Sequence, residues 1–260
     1  MAWAAQRPDG SILSVGFDRA QAPADADISI IDIADDVALR VLDGKLNMQH
    51  VIGGAPPVAE VTSIVLAHTL GNSIYPSMMR QIDMDSLAAL SRLIPVDAIA
   101  VEIGSRLGGS AKIILDNAPG IKRLYCIDSD WVHGSICAND PNIAWILETH
   151  GIDAQTKIYD YVQSLLGGYA AARLLPMSSP YELSWWTEPV DFIFEDSLHM
   201  NPQIRDNLEF WVKLVRSNGI IAGHDYVYTW PDVVQEVDAL AARLGTELHT
   251  QGSIWWMIKP

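Results

Sequence analysis

Cysteine is scarce in this 260-residue chain: Cys126 and Cys137 are the only two. They are too few for a disulfide framework and their spacing fits no zinc signature, so both are expected as free thiols. Positive charge is short as well, with 17 Lys and Arg against 32 Asp and Glu. The net charge of −15 would repel a polyphosphate backbone, so no nucleic-acid partner is expected. No uninterrupted apolar run approaches the roughly 18 residues needed to span a bilayer, and polar residues interrupt the first ten positions. The expectation is no membrane partner and a cytoplasmic location. Internal repeats and low-complexity tracts are also missing. Charged residues make up only 19% of the chain and apolar ones 49%, a balance that excludes disorder and can supply a sizeable core. At about 150 residues per domain, the length suggests one full α/β domain plus an appendage.

Two parts can be read along the chain. Residues 1–55 carry short, interrupted β signals, with turns at Asp9-Gly10 and Pro23 and a compact apolar run through Ile28, Ile30, Ile31 and Ile33. A short helix over Asp35 to Leu42 would complete a small β-rich N-terminal unit. Gly53-Gly54-Ala55-Pro56-Pro57 then continues neither regular structure and reads as a linker. Residues 56–95 form that linker and a helical lid, with a helix from Asp83 to Leu93 marked by Leu87, Leu90 and Leu93. From Ala98 onward strands and helices alternate to the C-terminus: strands open at Ala98, Leu124, Ala172, Val190 and Gly219, and two more close the chain. Such alternation predicts a Rossmann-like, doubly wound, mostly parallel seven-stranded sheet over 96–260, whose ligands sit beyond the carboxyl ends of its strands.

Functional residues are therefore sought just after each strand. Glu102-Ile103-Gly104-Ser105-Arg106-Leu107-Gly108-Gly109-Ser110 is a glycine-rich turn that opens a helix, so a ligand can approach its backbone and meet free N–H groups. Four positions separate Gly104 from Gly108, which is not the dinucleotide fingerprint G-x-G-x-x-G. A carboxylate at Glu102 suits a cationic amino group better than a pyrophosphate. Asp128 ends the second strand, where an acidic side chain can accept both hydroxyls of a ribose. An ordinary tight turn and a helix-capping Asp are the bland alternatives. Taken together, these features favour a nucleoside ligand.

The combination resembles the class I S-adenosylmethionine-dependent methyltransferases over roughly residues 83 to 260. It is most similar to the group with one strand ending in D-G-x-H and a later one in G-H-D-Y, which includes metal-assisted sugar O-methyltransferases. Here the strands read Asp196-Ser197-Leu198-His199 and Gly223-His224-Asp225-Tyr226. Ser197 departs from the usual Gly, and Leu198 stands where an Asp is frequent. The resemblance implies S-adenosylmethionine bound by Glu102, Gly104, Ser105, Gly108, Gly109, Ser110, Asp128, Ser178 and Asp196. It also implies His199 as general base and a metal on Asp196 and Asp225.

Chemistry agrees with such roles. Methyl transfer from a sulfonium is an in-line displacement, which requires an aligned acceptor oxygen and removal of its proton, and a neutral imidazole can take that proton. Two aspartates at neighbouring strand ends could share Mg²⁺. They could equally cap a helix and bond to loop backbone. Tyr75, Arg80, Tyr226, Tyr228 and Trp230 offer a surface for a small hydroxylated acceptor such as a sugar or phenol, though aromatics at a homo-oligomer interface would look the same. Two other functions compete: an assembly module that retains the cofactor without turnover and attaches through residues 1–55, and an NAD-dependent dehydrogenase. The glycine spacing and the lack of a Tyr-x-x-x-Lys constellation disfavour the dehydrogenase.

Overall fold

The computed structural model describes the strand backbones 2–6, 12–16 and 29–33, together with residues 75–132, 134–137 and 144–260. The chain divides into two compact units, Met1–Thr69 and Leu70–Pro260. In the first, strands β1 (Ala2–Gln6), β2 (Ile12–Gly16) and β3 (Ser29–Ile33) form an antiparallel sheet in the order β2-β1-β3. β3 takes up the isoleucine run expected to be a strand. The expected helix at Asp35 to Leu42, the boundary near residue 55 and the linker at Gly53 to Pro57 lie outside the described residues.

The second unit is built on seven strands: β4 (Ile99–Ile103), β5 (Arg123–Ile127), β6 (Ala172–Leu175), β7 (Val190–Glu195), β8 (Val215–Gly223), β9 (His249–Gln251) and β10 (Ile254–Ile258). Their order is β6-β5-β4-β7-β8-β10-β9. β4 to β8 run parallel, and β10 is antiparallel to both β8 and β9. Strand order reverses beside β4, the first strand of the sheet, and so creates the crevice where such sheets bind ligands.

Among the described residues six helices cover the sheet: α1 (Gln81–Ser91), α2 (Gly109–Asn117), α3 (Ala144–His150), α4 (Ile158–Leu166), α5 (Gln203–Leu214) and α6 (Pro231–Leu244). The strands are apolar on both sides because both sides are buried. Ala100, Phe192, Phe194 and Ala222 face one layer with residues of α1, α2 and α4. The alternate residues Ile99, Val101, Ile193 and Ile221 face α5 and α6.

Several bounds differ from the expected ones. α1 stops at Ser91, and Leu93 is 63% exposed beyond it, so Leu87 and Leu90 carry the packing without it, together with Ile82 and Met84. β8 starts four residues before Gly219, with a register irregularity opposite β7. β5, β7 and β8 end at Ile127, Glu195 and Gly223, so Asp128, Asp196 and Asp225 stand just beyond the ladder with side chains free of strand pairing.

Candidate active site

The loop between β4 and α2 is the floor of a 590 Å³ cavity at the carboxyl edge of the sheet. At Gly104 φ is +88°, and a Cβ there would lie 2.1 Å from the carbonyl oxygen of Asp196. At Gly109 a Cβ would lie 2.4 Å from the carbonyl oxygen of Pro76. Both glycines are thus demanded by neighbouring backbone, and the two crossings bring the 196–197 and 76–77 segments against the loop. Beneath it Glu102 is fully buried: Oε2 accepts a hydrogen bond from the Ser105 hydroxyl, while Oε1 has no partner among the described residues. Burial pushes the Glu102 carboxyl up to about 7, against hydrogen bonds from Ser105 and Ser110 and with help from the charges of Asp196 and Asp128.

Of the residues expected to bind a cofactor, Gly104, Ser105, Gly109, Ser110, Asp128, Ser178 and Asp196 line the cavity, with His199 and Asp225 at its other end. Glu102 and Gly108 do not line it. Glu102 lies behind Ser105, and a Cβ at Gly108 would face Val162 and Leu166 of α4. Asp128 does what its bland alternative predicts: Oδ1 accepts from the Asp130 amide at 2.8 Å and Oδ2 from the Arg106 amide at 2.7 Å. Each carboxylate oxygen keeps a second lone pair, so the cap leaves room for hydroxyl donors. Beyond β6, Ser178 donates its amide to Glu182 at 2.6 Å, and the Ser179 hydroxyl accepts from Trp211 Nε1 at 2.9 Å.

At the far end, Asp196 Oδ1, His199 Nε2 and Asp225 Oδ2 lie within 4.8 Å of one another. Nε2 is 2.7 Å from Asp225 and 3.9 Å from Asp196. Asp225 has φ of +59°, a left-handed conformation that Asp tolerates better than most residues and that costs some strain. Trp230 stacks on the imidazole of His199, ring centroids 4.5 Å apart. Burial works against a charged His199, but the adjoining carboxylates of Asp196 and Asp225 outweigh it and raise the group to about 9. His199 and His224 hold Asp225 below the usual carboxylate range despite its burial.

His224 and Asp83 complete this end. His224 Nδ1 lies 3.1 Å from Asp225 Oδ2 and 3.4 Å from Asp196 Oδ1, and Nε2 lies 3.5 Å from Asp83 Oδ2. Asp83 is buried in α1 and also accepts the Ser253 amide at 2.6 Å and Arg80 Nε at 3.0 Å. Asp83 is not among the site residues expected from the sequence. A signal for it is present all the same, since Asp83, Leu87 and Leu90 share one helical face and a charge on an apolar face asks for a partner. Ser179, which follows the third strand beside Ser178, also lines the cavity, as do Gln203 and Met78, which carry no sequence signal of their own.

Of the aromatic and basic residues expected at an acceptor surface, Trp230 lines the cavity. The others do not: Tyr75 donates to Asp116, Arg80 is paired with Asp83, Tyr226 donates to Asp238, and Tyr228 is 85% exposed. Trp131 is a packing residue, buried with Nε1 donating to the Arg106 carbonyl, and His133 lies outside the described residues.

Comparison with known proteins fits this geometry. Residues 101–226 match the model of a family described as a methyltransferase domain. The cofactor-bound protein Rv0187 from MTB superposes with a TM-score of 0.51 at 12% identity, over 88% of this chain and 99% of that one. A candidate caffeoyl-CoA O-methyltransferase from Staphylococcus aureus gives 0.50 at 14% identity, over 85% and 100%. Both share the fold. No curated protein sequence matches the chain. Among the described residues no helix is long and apolar enough to cross a membrane.

Proposed function

We propose that this chain, whose residues 101–226 match a methyltransferase-domain family, moves the methyl group of S-adenosylmethionine to a hydroxyl oxygen of a small molecule. One observation carries the reading: a single cavity joins the glycine loop and Asp128 at one end to Asp196, His199 and Asp225 at the other. Asp128 would accept the ribose hydroxyls. The amides of the first turn of α2 would receive the carboxylate of the methionine moiety. Glu102 would act on its ammonium from behind Ser105 rather than by contact. The cofactor supplies an electrophilic methyl group; the chain aligns the acceptor with it and takes care of the proton.

The acceptor end suits a hydroxylated ring of the sugar or phenol type. Leu198 and Trp230, beside His199, line the cavity there, and both are exposed, giving an apolar rim around a polar floor. Asp196 and Asp225 would hold a divalent cation such as Mg²⁺, which on binding would lower the pKa of the acceptor hydroxyl. The donor set fits such a group: three ligand atoms converge, and His199 Nε2 is buried with no hydrogen-bond partner among the described residues. In the ion-free arrangement the carboxylates of Asp196 and Asp225 raise His199 to about 9, which opposes its action as a base near neutral pH. Activation of the hydroxyl is therefore assigned to the cation-bearing cluster.

The 2.7 Å contact between Asp225 and His199 favours a second reading, the general base expected from the sequence, in which the carboxylate orients the imidazole and no ion is needed. Methyl transfer from labelled S-adenosylmethionine across a panel of hydroxylated acceptors tests the function. Turnover should fall on the order of 10²-fold in His199→Ala, with cofactor affinity unchanged within about twofold. Loss of turnover on chelation supports the cation; chelator-resistant turnover selects the ion-free base. Cofactor binding with no transfer to any acceptor would overturn the enzyme reading in favour of an assembly module.

A further inference from the structure

An imidazole sets the Asp196–His199–Asp225 cluster apart from an all-oxygen cage for a hard ion. His199 Nε2 is buried, and Asp225 Oδ2 stands 2.7 Å from it, yet the oxygen does not lie along the direction of a ring N–H and no hydrogen bond forms there. Two atoms this close without a proton in line are disposed as two acceptors whose lone pairs meet at a third point. Neighbouring donors on an ion with bonds of about 2.1 Å stand about 3.0 Å apart in an octahedron and about 3.4 Å apart in a tetrahedron. The distances from Nε2 to the two carboxylates, 2.7 and 3.9 Å, straddle those values.

The surroundings fix the donors. Trp230 covers one face of the His199 ring and opposes its rotation. His224 Nδ1 lies within 3.4 Å of both carboxylates, and its other nitrogen is turned toward Asp83, an outer partner that orients ligands without joining them.

We propose that His199 Nε2 is the third ligand of this cation site, and that the site takes a nitrogen-accepting transition-metal ion of the Mn²⁺, Fe²⁺, Co²⁺ or Zn²⁺ class in preference to Mg²⁺. The inference rests on the reading of Asp196 and Asp225 as cation ligands. Mg²⁺ prefers oxygen donors and keeps its water, whereas imidazole with carboxylates suits the later ions. With one nitrogen and two carboxylate oxygens from the chain, open positions remain for the acceptor.

The test uses the full chain, stripped with chelator and titrated with Co²⁺, Zn²⁺, Mn²⁺ and Mg²⁺. Binding is read by calorimetry, by tryptophan fluorescence through Trp230 and, for Co²⁺, by visible absorption; none of these needs methyl transfer. Co²⁺ and Zn²⁺ should bind on the order of 10²-fold or more tightly than Mg²⁺. Transition ions outrank Mg²⁺ at many sites, so the decisive comparison is His199→Asp, an all-oxygen set. That variant should narrow the Co²⁺-to-Mg²⁺ ratio by about tenfold or more and change the Co²⁺ spectrum. His199→Gln, which removes the nitrogen without adding charge, supplies the same comparison if the first variant does not fold. An unchanged ratio and spectrum would overturn the proposal, as would a wild-type chain that binds none of the four ions.

The two readings fail separately. Co²⁺ held through His199 with no methyl transfer removes the function and leaves the site. Methyl transfer supported by Mg²⁺, with a Co²⁺-to-Mg²⁺ ratio indifferent to His199, does the reverse.

Discussion

Glu102 is a carboxyl group with no exposed surface and one oxygen without a hydrogen-bond partner among the described residues. Its folded pKa of about 7 lies above the ordinary 4.5, so between those values the folded chain keeps a proton that the unfolded chain has lost. Stability from this group is therefore full below pH 4.5 and falls as pH rises to about 7, by about 3 kcal/mol at most. Glu102→Gln, which imitates the protonated form, should flatten that slope. It should match the wild type near pH 4.5 and exceed it by a few kcal/mol above pH 7, as read by urea denaturation across the window; a parallel slope in the variant would count against the assignment. Chemistry at single residues is legible where a residue type is demanded at a strand end: Asp128, Asp196, His199 and Asp225 are all marked in the sequence, and all line the cavity. Contributions through bare backbone or generic polar groups, such as Gln203, are not. For two glycines the structure adds a reason the sequence does not show: Gly104 and Gly109 line the cavity and also make room for neighbouring backbone.

Among the elements, α1 does more than cover the sheet. Asp83 ties it to the turn between β9 and β10 by accepting the Ser253 amide, and Arg80 Nη2 donates to the Ser253 hydroxyl at 2.6 Å. Gly252 in that turn has φ of +64°, and a Cβ there would lie 2.3 Å from Asp83 Oδ1, so the carboxylate fits only against a glycine. Asp83→Ala would leave the Ser253 amide without its acceptor and His224 facing no carboxylate from this side. It should cost about 3–5 kcal/mol by chemical denaturation, the range for one half of a buried charge pair. Asp83→Asn keeps an acceptor for Ser253 and should cost clearly less; equal losses in the two variants would show that the charge plays no part. The existence and order of the elements in 96–260 are legible because period-two and period-3.6 apolar patterns are strong there. Their ends are less so. The four extra residues at the start of β8 include exposed Arg216, Ser217 and Asn218, which carry no apolar pattern, and α1 ends where Arg92 and Leu93 turn to solvent.

At the scale of the whole chain charge dominates: the net charge is −15, and the cavity itself holds Asp128, Asp196 and Asp225. Such a field draws cations and repels polyanions. S-adenosylmethionine carries a sulfonium, an ammonium and a carboxylate, a net +1, while the product that has lost its methyl group is neutral overall. Their difference is one positive charge at the sulfur, so the long-range attraction acts on the donor and not on the product. Salt screens that attraction over about 10 Å at 0.1 M and about 3 Å at 1 M. Donor affinity should therefore fall several-fold between about 0.01 and 0.5 M salt, while product affinity stays within about twofold, both by calorimetry on the metal-free chain. The gap between the two ligands would close as salt rises, making product inhibition stronger in high salt than in low. Parallel slopes for donor and product would mean that the acidic surplus lies too far from the sulfur to matter, and that selection of the charged donor is local to the carboxylates in the cavity.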